Sequence, residues 1–239
     1  MITAIVLAGG TGSRVGADCP KQFVEVLGKP IIVYTLEIFE HNSNIDAIEV
    51  VCHKEWRDQL CDWTKQYNLT KVQWIVDGGE TFQDSVMCGL KGIRSEMTKD
   101  DYVVIQYGAA PFTSDRIVNE LIETMKIKQP VVSATPCFQL MGSNDGCNES
   151  HTWIDRDSIT QIACPYGFKY SYLVDMYERA EMAGLLETIE PHTTSLIYAL
   201  GDTIYLSYGD QTNIKITTKE DVDMFEGYAM LMRGRGDQL

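Results

Sequence analysis

A chain of 239 residues with 44% hydrophobic side chains can bury a full core, and 20 Lys plus Arg against 34 Asp plus Glu, a formal net charge of −14, speak against a broad nucleic-acid footprint. No run approaches the ~18 apolar residues of a membrane span, and the first residues lack a basic segment and long apolar core, so the expectation is a cytoplasmic protein with neither membrane nor nucleic-acid partner. Seven cysteines, an odd number with no CxxC pair, argue against a disulfide framework or a structural zinc site, and most of them read as small buried apolar side chains.

In chain order, the apolar run ITAIVLA ends in Gly9-Gly10-Thr11-Gly12-Ser13 and reads as a buried strand feeding a small-residue loop. AIEVVC, VQWIVD and YVVIQY read as further strands, separated by helical patterns around Ile31 to Phe39, Trp56 to Tyr67 and Ser85 to Met97. That alternation predicts an α/β fold with a mostly parallel sheet. VVSATP gives another strand, GSNDGCNES an exposed turn, and WIDRDSI an extended stretch. A helix from Tyr170 to Gly184 follows, then strands at TIYLSYG and TNIKITT. The closing helix starts at Lys219, with Thr218 as its cap and Glu220 and Asp221 in its first turn. No repeat or linker divides the chain, so residues 1–239 read as one domain. Residues 137–153 form the one excursion, an arm that could clasp its counterpart in a homodimer.

The opening loop carries the chemistry. Unobstructed backbone N–H groups from Leu7, Ala8, Gly9, Gly10, Thr11, Gly12 and Ser13 can surround phosphate oxygens, and the cations Arg14 and Lys21 lie within reach. A Walker A loop is excluded, because GxxxxGK[ST] is absent. A triphosphate is the ligand this composition suits. Elsewhere the plain readings stand beside the functional ones: Arg156 in an ion pair with Asp155 or Asp157, Lys215 on a solvated strand face, Ser85 as a helix N-cap, His192 as a loop histidine.

LAGGTGSRVGADCPKQF, KPIIVYTLEIF, GGETFQDSVMCGL, the APF at Ala110 to Phe112, IDRDSI and TNIKITTKEDV resemble, over nearly the whole chain, one cytidylyltransferase family. Its members make CDP-methylerythritol from methylerythritol phosphate or CDP-ribitol from ribitol 5-phosphate, and LAGG with GGET is more similar to the ribitol phosphate branch. The resemblance implies a Rossmann-like three-layer nucleotidyltransferase fold with a protruding β-arm. It implies attack of an acceptor phosphate on the α-phosphorus of CTP, with Mg²⁺ bridging the triphosphate and a CDP-polyol serving surface-polymer synthesis as product. Leu7 to Ser13 would wrap the nucleotide, Gly79 and Ser85 would meet cytosine and ribose, and Arg14, Lys21 and Lys215 would stabilise the reacting phosphates. Tyr107, Gly108, Arg156, His192 and Lys215 would face the acceptor.

Departures from the family pattern fall on the acceptor side. Where the family reads HDAARPF or HDSVRPF, this chain has Gln106-Tyr107-Gly108-Ala109-Ala110-Pro111-Phe112, with Tyr107 in place of an aspartate near the metal and Ala110 in place of an arginine. Phe82 stands where the methylerythritol branch has an arginine. A QTPQ-like stretch is Ala163-Cys164-Pro165-Tyr166, and a TDEAS-like one is Pro191-His192-Thr193-Thr194-Ser195. No metal ligand can be assigned on this basis. The alternatives left open are methylerythritol phosphate or a phosphonate as acceptor, a nucleoside-diphosphate-sugar synthase, and a CTP-binding protein without transfer activity.

Overall fold

Strand β1 (Ile2–Ala8) is buried at every residue, as a strand covered by helices on both faces must be. The structure is a computed structural model that describes residues 1–10 and 19–236. After β1 come a small hairpin of β2 (Glu25–Val26) and β3 (Lys29–Pro30), then α1 (Ile31–His41), β4 (Ala47–Cys52), α2 (Arg57–Gln66), β5 (Val72–Asp77), α3 (Phe82–Gly92) and β6 (Tyr102–Tyr107). The chain continues through α4 (Asp115–Ile127), β7 (Val131–Pro136), β8 (Met141–Gly142), β9 (Trp153–Ile154) and β10 (Thr160–Lys169). It closes with α5 (Tyr170–Met182), α6 (Thr193–Ala199), β11 (Tyr205–Tyr208) and α7 (Lys219–Arg235).

Seven strands form one sheet in the order β11-β7-β10-β6-β1-β4-β5. Only β10 runs antiparallel to its neighbours β6 and β7; the other pairs are parallel. From β1 the chain moves outward to β4 and β5, then returns to place β6 on the other side of β1. That reversal opens a crevice beyond the carboxyl ends of β1 and β6, the position at which open α/β sheets bind ligands.

Side-chain alternation along β1 sends Ala4, Val6 and Ala8 to one face and Ile5 and Leu7 to the other. The first face packs on α1, α2 and α4 through Leu36, Leu60 and Leu121; the second packs on α3, α5 and α6 through Val86, Leu173 and Leu196. The result is the expected three-layer α/β architecture. Helix α7 closes a third cluster, its Phe225 edge-on to Tyr34 of α1 at 5.0 Å between ring centroids. Among the buried polar groups, Glu49 of β4 is fully buried, and neither carboxylate oxygen has a hydrogen-bond partner among the described residues. Gly89 and Gly92 of α3 leave it room, since a Cβ on Gly92 would approach Glu49 Oε1 to 2.1 Å.

Several expectations are revised. α4, α6 and β10 were not read from the sequence, and α3 begins at Phe82 rather than Ser85. TNIKITT does not join the sheet; its Ile216 N–H instead donates to Ala109 O at 2.8 Å. Within WIDRDSI a paired strand forms only at β9, and a 3-10 turn at Arg156–Ser158 interrupts the extended backbone between Asp155 and Ile159. The closing helix follows its predicted signals, with a reciprocal capping box between Thr218 and Asp221 and a stop at Gly236 in the left-handed region. None of the described cysteines is in a disulfide; only Cys52, Cys137 and Cys164 are buried, and Cys147 is exposed. No helix among the described residues is long and apolar enough to cross a membrane.

Candidate functional site

The crevice at the switch point is built from two glycine turns and one strap. At the end of β1, the side-chain amide of Gln22 donates to Ala8 O at 2.7 Å and to Gly10 O at 2.8 Å. Gln22 is buried, and its neighbour Phe23 stacks on Trp56 at 4.4 Å, so the 3-10 turn Lys21–Phe23 is anchored beneath the strand end. This anchoring carries Lys21 to the rim of a cavity of about 230 Å³. Sequence reasoning gave Gln22 no role; the signal was a buried amide beside an aromatic anchor, directly after the loop whose carbonyls it holds.

The second turn, Gly78-Gly79, leads into α3. Thr81 caps that helix through a capping box with Asp84, so Ser85 lies inside the first turn and is not the N-cap. Ser85 Oγ instead accepts the Gly79 N–H at 3.2 Å. A Cβ on Gly79 would come within 2.2 Å of Asp84 Cβ, and one on Gly9 within 3.3 Å of Ser85 Oγ. Only glycine fits at 79. Leu7, Gly9, Gly10, Lys21, Gly79 and Ser85 therefore line one cavity, with the capped N-terminus of α3 at its edge, as an anionic ligand prefers. Thr11, Gly12, Ser13 and Arg14 lie outside the described residues.

β6 ends at Tyr107 between this cavity and a second one of about 430 Å³, whose walls include Cys164, Tyr166, His192 and Asn213. Tyr107 and Lys215 line both. The Lys215 ammonium lies 4.2 Å from the centroid of the Tyr107 ring, and the Tyr107 hydroxyl is 2.9 Å from His192 Nδ1. Phe82 and Tyr166 flank the same ring at 5.7 and 6.0 Å. Gly108 does not present a group to a ligand as expected: it is buried, its N–H donates to Leu7 O at 2.8 Å and its carbonyl accepts from Thr35 at 3.1 Å.

A buried polar chain fixes Lys215. Gln106 Nε2 donates to Thr113 Oγ1 at 2.9 Å, Thr113 donates to Asn213 Oδ1 at 2.8 Å, and Asn213 Nδ2 donates to Cys164 O at 2.7 Å. With the Ile216 N–H on Ala109, this holds the backbone on both sides of Lys215 against β6 and β10. None of the three polar residues was singled out from the sequence, because the network closes only through contacts about a hundred residues apart.

The electrostatics of the second cavity follow from burial. Burial drives the Tyr107 and Tyr166 phenols well above their ordinary range, so both stay neutral, and it pushes the Cys164 thiol up to about 11, which makes it a poor nucleophile. Burial and the Lys215 charge together lower the pKa of His192 against the opposing pull of Glu190, which keeps the imidazole neutral at pH 7 and able to accept at Nδ1. Arg156 is not brought here. It is exposed on the arm, where Nη1 donates to Phe138 O at 3.0 Å, and it lines neither cavity of its own chain. Nor do the described residues form a cluster of three or more His, Cys, Asp or Glu side chains suited to a metal ion, and the neutral phenol of Tyr107 occupies the aspartate's place.

Comparison with known proteins agrees with this geometry. The family described as 2-C-methyl-D-erythritol 4-phosphate cytidylyltransferase matches residues 2–231. A ribitol-5-phosphate cytidylyltransferase from Lacticaseibacillus paracasei is 33% identical over 95% of this chain and 97% of its own, and a 2-C-methyl-D-erythritol 4-phosphate cytidylyltransferase from Geobacillus thermodenitrificans is 35% identical over 92% of each. The crystal structure of 4-diphosphocytidyl-2C-methyl-D-erythritol synthase from Anaerococcus prevotii superimposes with a TM-score of 0.78, covering 96% of this chain and 98% of that one at 24% identity.

Proposed function

Because the chain belongs to the 2-C-methyl-D-erythritol 4-phosphate cytidylyltransferase family, and so is a nucleotidyltransferase, we propose that it joins CTP to a polyol phosphate, with D-ribitol 5-phosphate as the preferred acceptor. The observation that carries this reading is the pair of cavities meeting at Lys215 and Tyr107. One is glycine-lined beside a helix N-terminus and suits a nucleotide; the other is walled by aromatic and hydrogen-bonding side chains and suits a small acceptor. An acceptor phosphate oxygen forms a bond to the α-phosphorus, the α–β phosphoanhydride bond breaks, and pyrophosphate leaves. Such a reaction asks the protein for positioning and charge stabilisation rather than covalent chemistry. Gly79 and Ser85 would orient base and ribose, and Leu7, Gly9 and Gly10 would cradle the phosphates, whereas Ala8 is buried on the opposite face of β1 with its carbonyl held by Gln22; Lys21 would meet the leaving pyrophosphate, and Lys215 would stand where the two substrates join. Magnesium would enter with the nucleotide and would supply charge neutralisation at its phosphates. The CDP-polyol formed would serve surface-polymer synthesis.

The arm supports a homodimer. Around β8 and β9 it exposes Phe138, Leu140, Met141 and Trp153, an apolar set suited to burial against a second copy. A role for Arg156 toward the acceptor then requires the neighbouring subunit. Mixing Arg156→Ala with Lys215→Ala chains is expected to restore turnover that neither variant has alone, and no recovery would remove Arg156 from the site.

The decisive assay is pyrophosphate release with each of the four ribonucleoside triphosphates against ribitol 5-phosphate, methylerythritol phosphate and a phosphonate. Release with CTP and ribitol 5-phosphate is expected to exceed every other combination. Saturable CTP binding with no release in any arm would identify a binding protein instead. The methylerythritol arm is included because relatives named for both acceptors match at nearly equal identity.

A further inference from the structure

The seam between the cavities contains a device that the transfer reaction does not by itself require. Lys215 is carried on a segment outside the sheet, so no strand ladder fixes the direction of its long side chain. Its ammonium nonetheless lies over the face of Tyr107, 4.2 Å from the ring centroid. The ring is held in turn: Tyr107 OH pairs with His192 Nδ1 at 2.9 Å and approaches Tyr166 OH at 3.5 Å, while Phe82 packs 5.7 Å away. His192 is itself seated on α3, its carbonyl accepting from Gln83 Nε2 at 3.3 Å. An aromatic face attracts an ammonium through its quadrupole and, unlike a carboxylate, does so without cancelling the charge or competing for a metal.

Resting on the transferase reading above, we propose that Tyr107 is a positioning residue whose ring aims the Lys215 ammonium at the junction of the two cavities, with His192 locking the ring through a hydrogen bond between its Nδ1 and the Tyr107 hydroxyl. A neutral ring thus stands where the family pattern has a carboxylate. This arrangement separates two functions of one side chain: the ring directs Lys215, and the hydroxyl only keeps the ring from turning. Loss of the ring should therefore harm turnover far more than loss of the hydroxyl.

The test uses the full-length chain with isotope-labelled lysine. An ammonium-bearing chain over a ring face has its ε-methylene resonance moved upfield by the ring current, and Lys215→Arg identifies the signal by deleting it. In the ligand-free protein, Tyr107→Phe is expected to keep the upfield shift and Tyr107→Leu to abolish it. With CTP and acceptor, Tyr107→Leu is expected to lower kcat about tenfold or more with little change in the affinity for CTP, and Tyr107→Phe to lower it only a few-fold, the range a cation–π contact spans. Melting temperatures of the two variants check that both are folded, and the near-isosteric Tyr107→Phe carries the shift measurement if Tyr107→Leu does not fold. An unshifted Lys215 resonance in the wild type overturns the proposal, as does equal damage from the two substitutions, which would make the hydroxyl a substrate contact. Because the resonance is read without substrates, its result is independent of the transferase reading: a shifted resonance with no pyrophosphate release refutes the reading alone, and release with an unshifted resonance refutes the positioning role alone.

Discussion

The two cavities that share Tyr107 and Lys215 are built on opposite principles. On the nucleotide side much of the wall is backbone: a side chain at Gly9 or Gly79 would press on Ser85 or Asp84, and Gln22 acts by holding the carbonyls of Ala8 and Gly10 in place. On the acceptor side the walls are side chains delivered by β6, β10, the residues before α6 and the segment before α7. A wall of backbone accepts few substitutions and fixes one ligand; a wall of side chains can be rewritten residue by residue without disturbing the sheet. The difference explains how a chain can keep its glycine turn while Tyr107, Cys164 and His192 depart from the family pattern; Ala110, which also departs, is buried in the core and lines neither cavity.

The largest effect is expected at the rim of the backbone-built side. Lys21→Ala should reduce turnover about a hundredfold or more with only a modest loss of CTP affinity, because a preorganised donor to charge developing in the transition state contributes roughly 3 to 4 kcal/mol. Single-turnover kinetics with calorimetric CTP titration would check this, and near-normal turnover would place Lys21 outside the chemistry. Gly79→Ala comes next. Its methyl group would press into Asp84 and break the α3 cap, so CTP binding should fall while stability drops by about 1 to 3 kcal/mol, the ordinary cost of overpacking. Denaturant melts with and without CTP would separate the two losses; retained CTP affinity would show that the turn tolerates a side chain.

Asn213→Ala probes the other side. Removing the amide leaves Cys164 O and the Thr113 hydroxyl without their buried partner, at a cost of about 1 to 3 kcal/mol. Turnover should fall with stability as Lys215 loses its mooring, whereas CTP affinity should hardly change. Equal losses for CTP and acceptor would erase the distinction between the two walls. The smallest effect concerns Glu49, beneath the helix that bears the base-binding turn. Burial raises its carboxyl to about 8 from an ordinary value of 4.5, so the folded state holds a proton that the unfolded chain gives up. Its contribution is fully present below the ordinary carboxylate pKa and is lost as pH rises through about 8. Glu49→Gln should flatten that decline in melting temperature between an ordinary carboxylate pKa of 4.5 and about 8, and an unchanged profile would assign the decline to other groups.

How much of this could be read from the sequence follows from the same contrast. The glycine turns are local, so β1 and the turn before α3 were legible in a few consecutive residues, as was Thr218 as the cap of α7. The signals of α4 were present too, with Ser114 as cap and Ile117, Val118, Leu121, Ile122 and Met125 on one face, although the sequence reading passed over them. β10 was hidden by Pro165, which argues against a strand interior; the structure admits it by a register shift between Ala163 and Tyr166. TNIKITT alternated like a strand, yet Asn213 and Ile216 tie it to β6 and β10 by a side-chain amide and one backbone bond in place of a ladder. The aromatic seam was legible only as a set of departures, since its four rings come from four places in the chain.

A wall common to two chambers makes their occupants thermodynamically answerable to each other. Whatever ligand in one cavity draws Lys215 toward itself alters the face that Tyr107 and Lys215 present to the other, and free-energy linkage requires that influence to be mutual. If nucleotide sharpens the affinity for acceptor by some factor, acceptor must sharpen the affinity for nucleotide by the same one. The partition therefore sets how tightly the two chambers fill together as much as it sets what fills them.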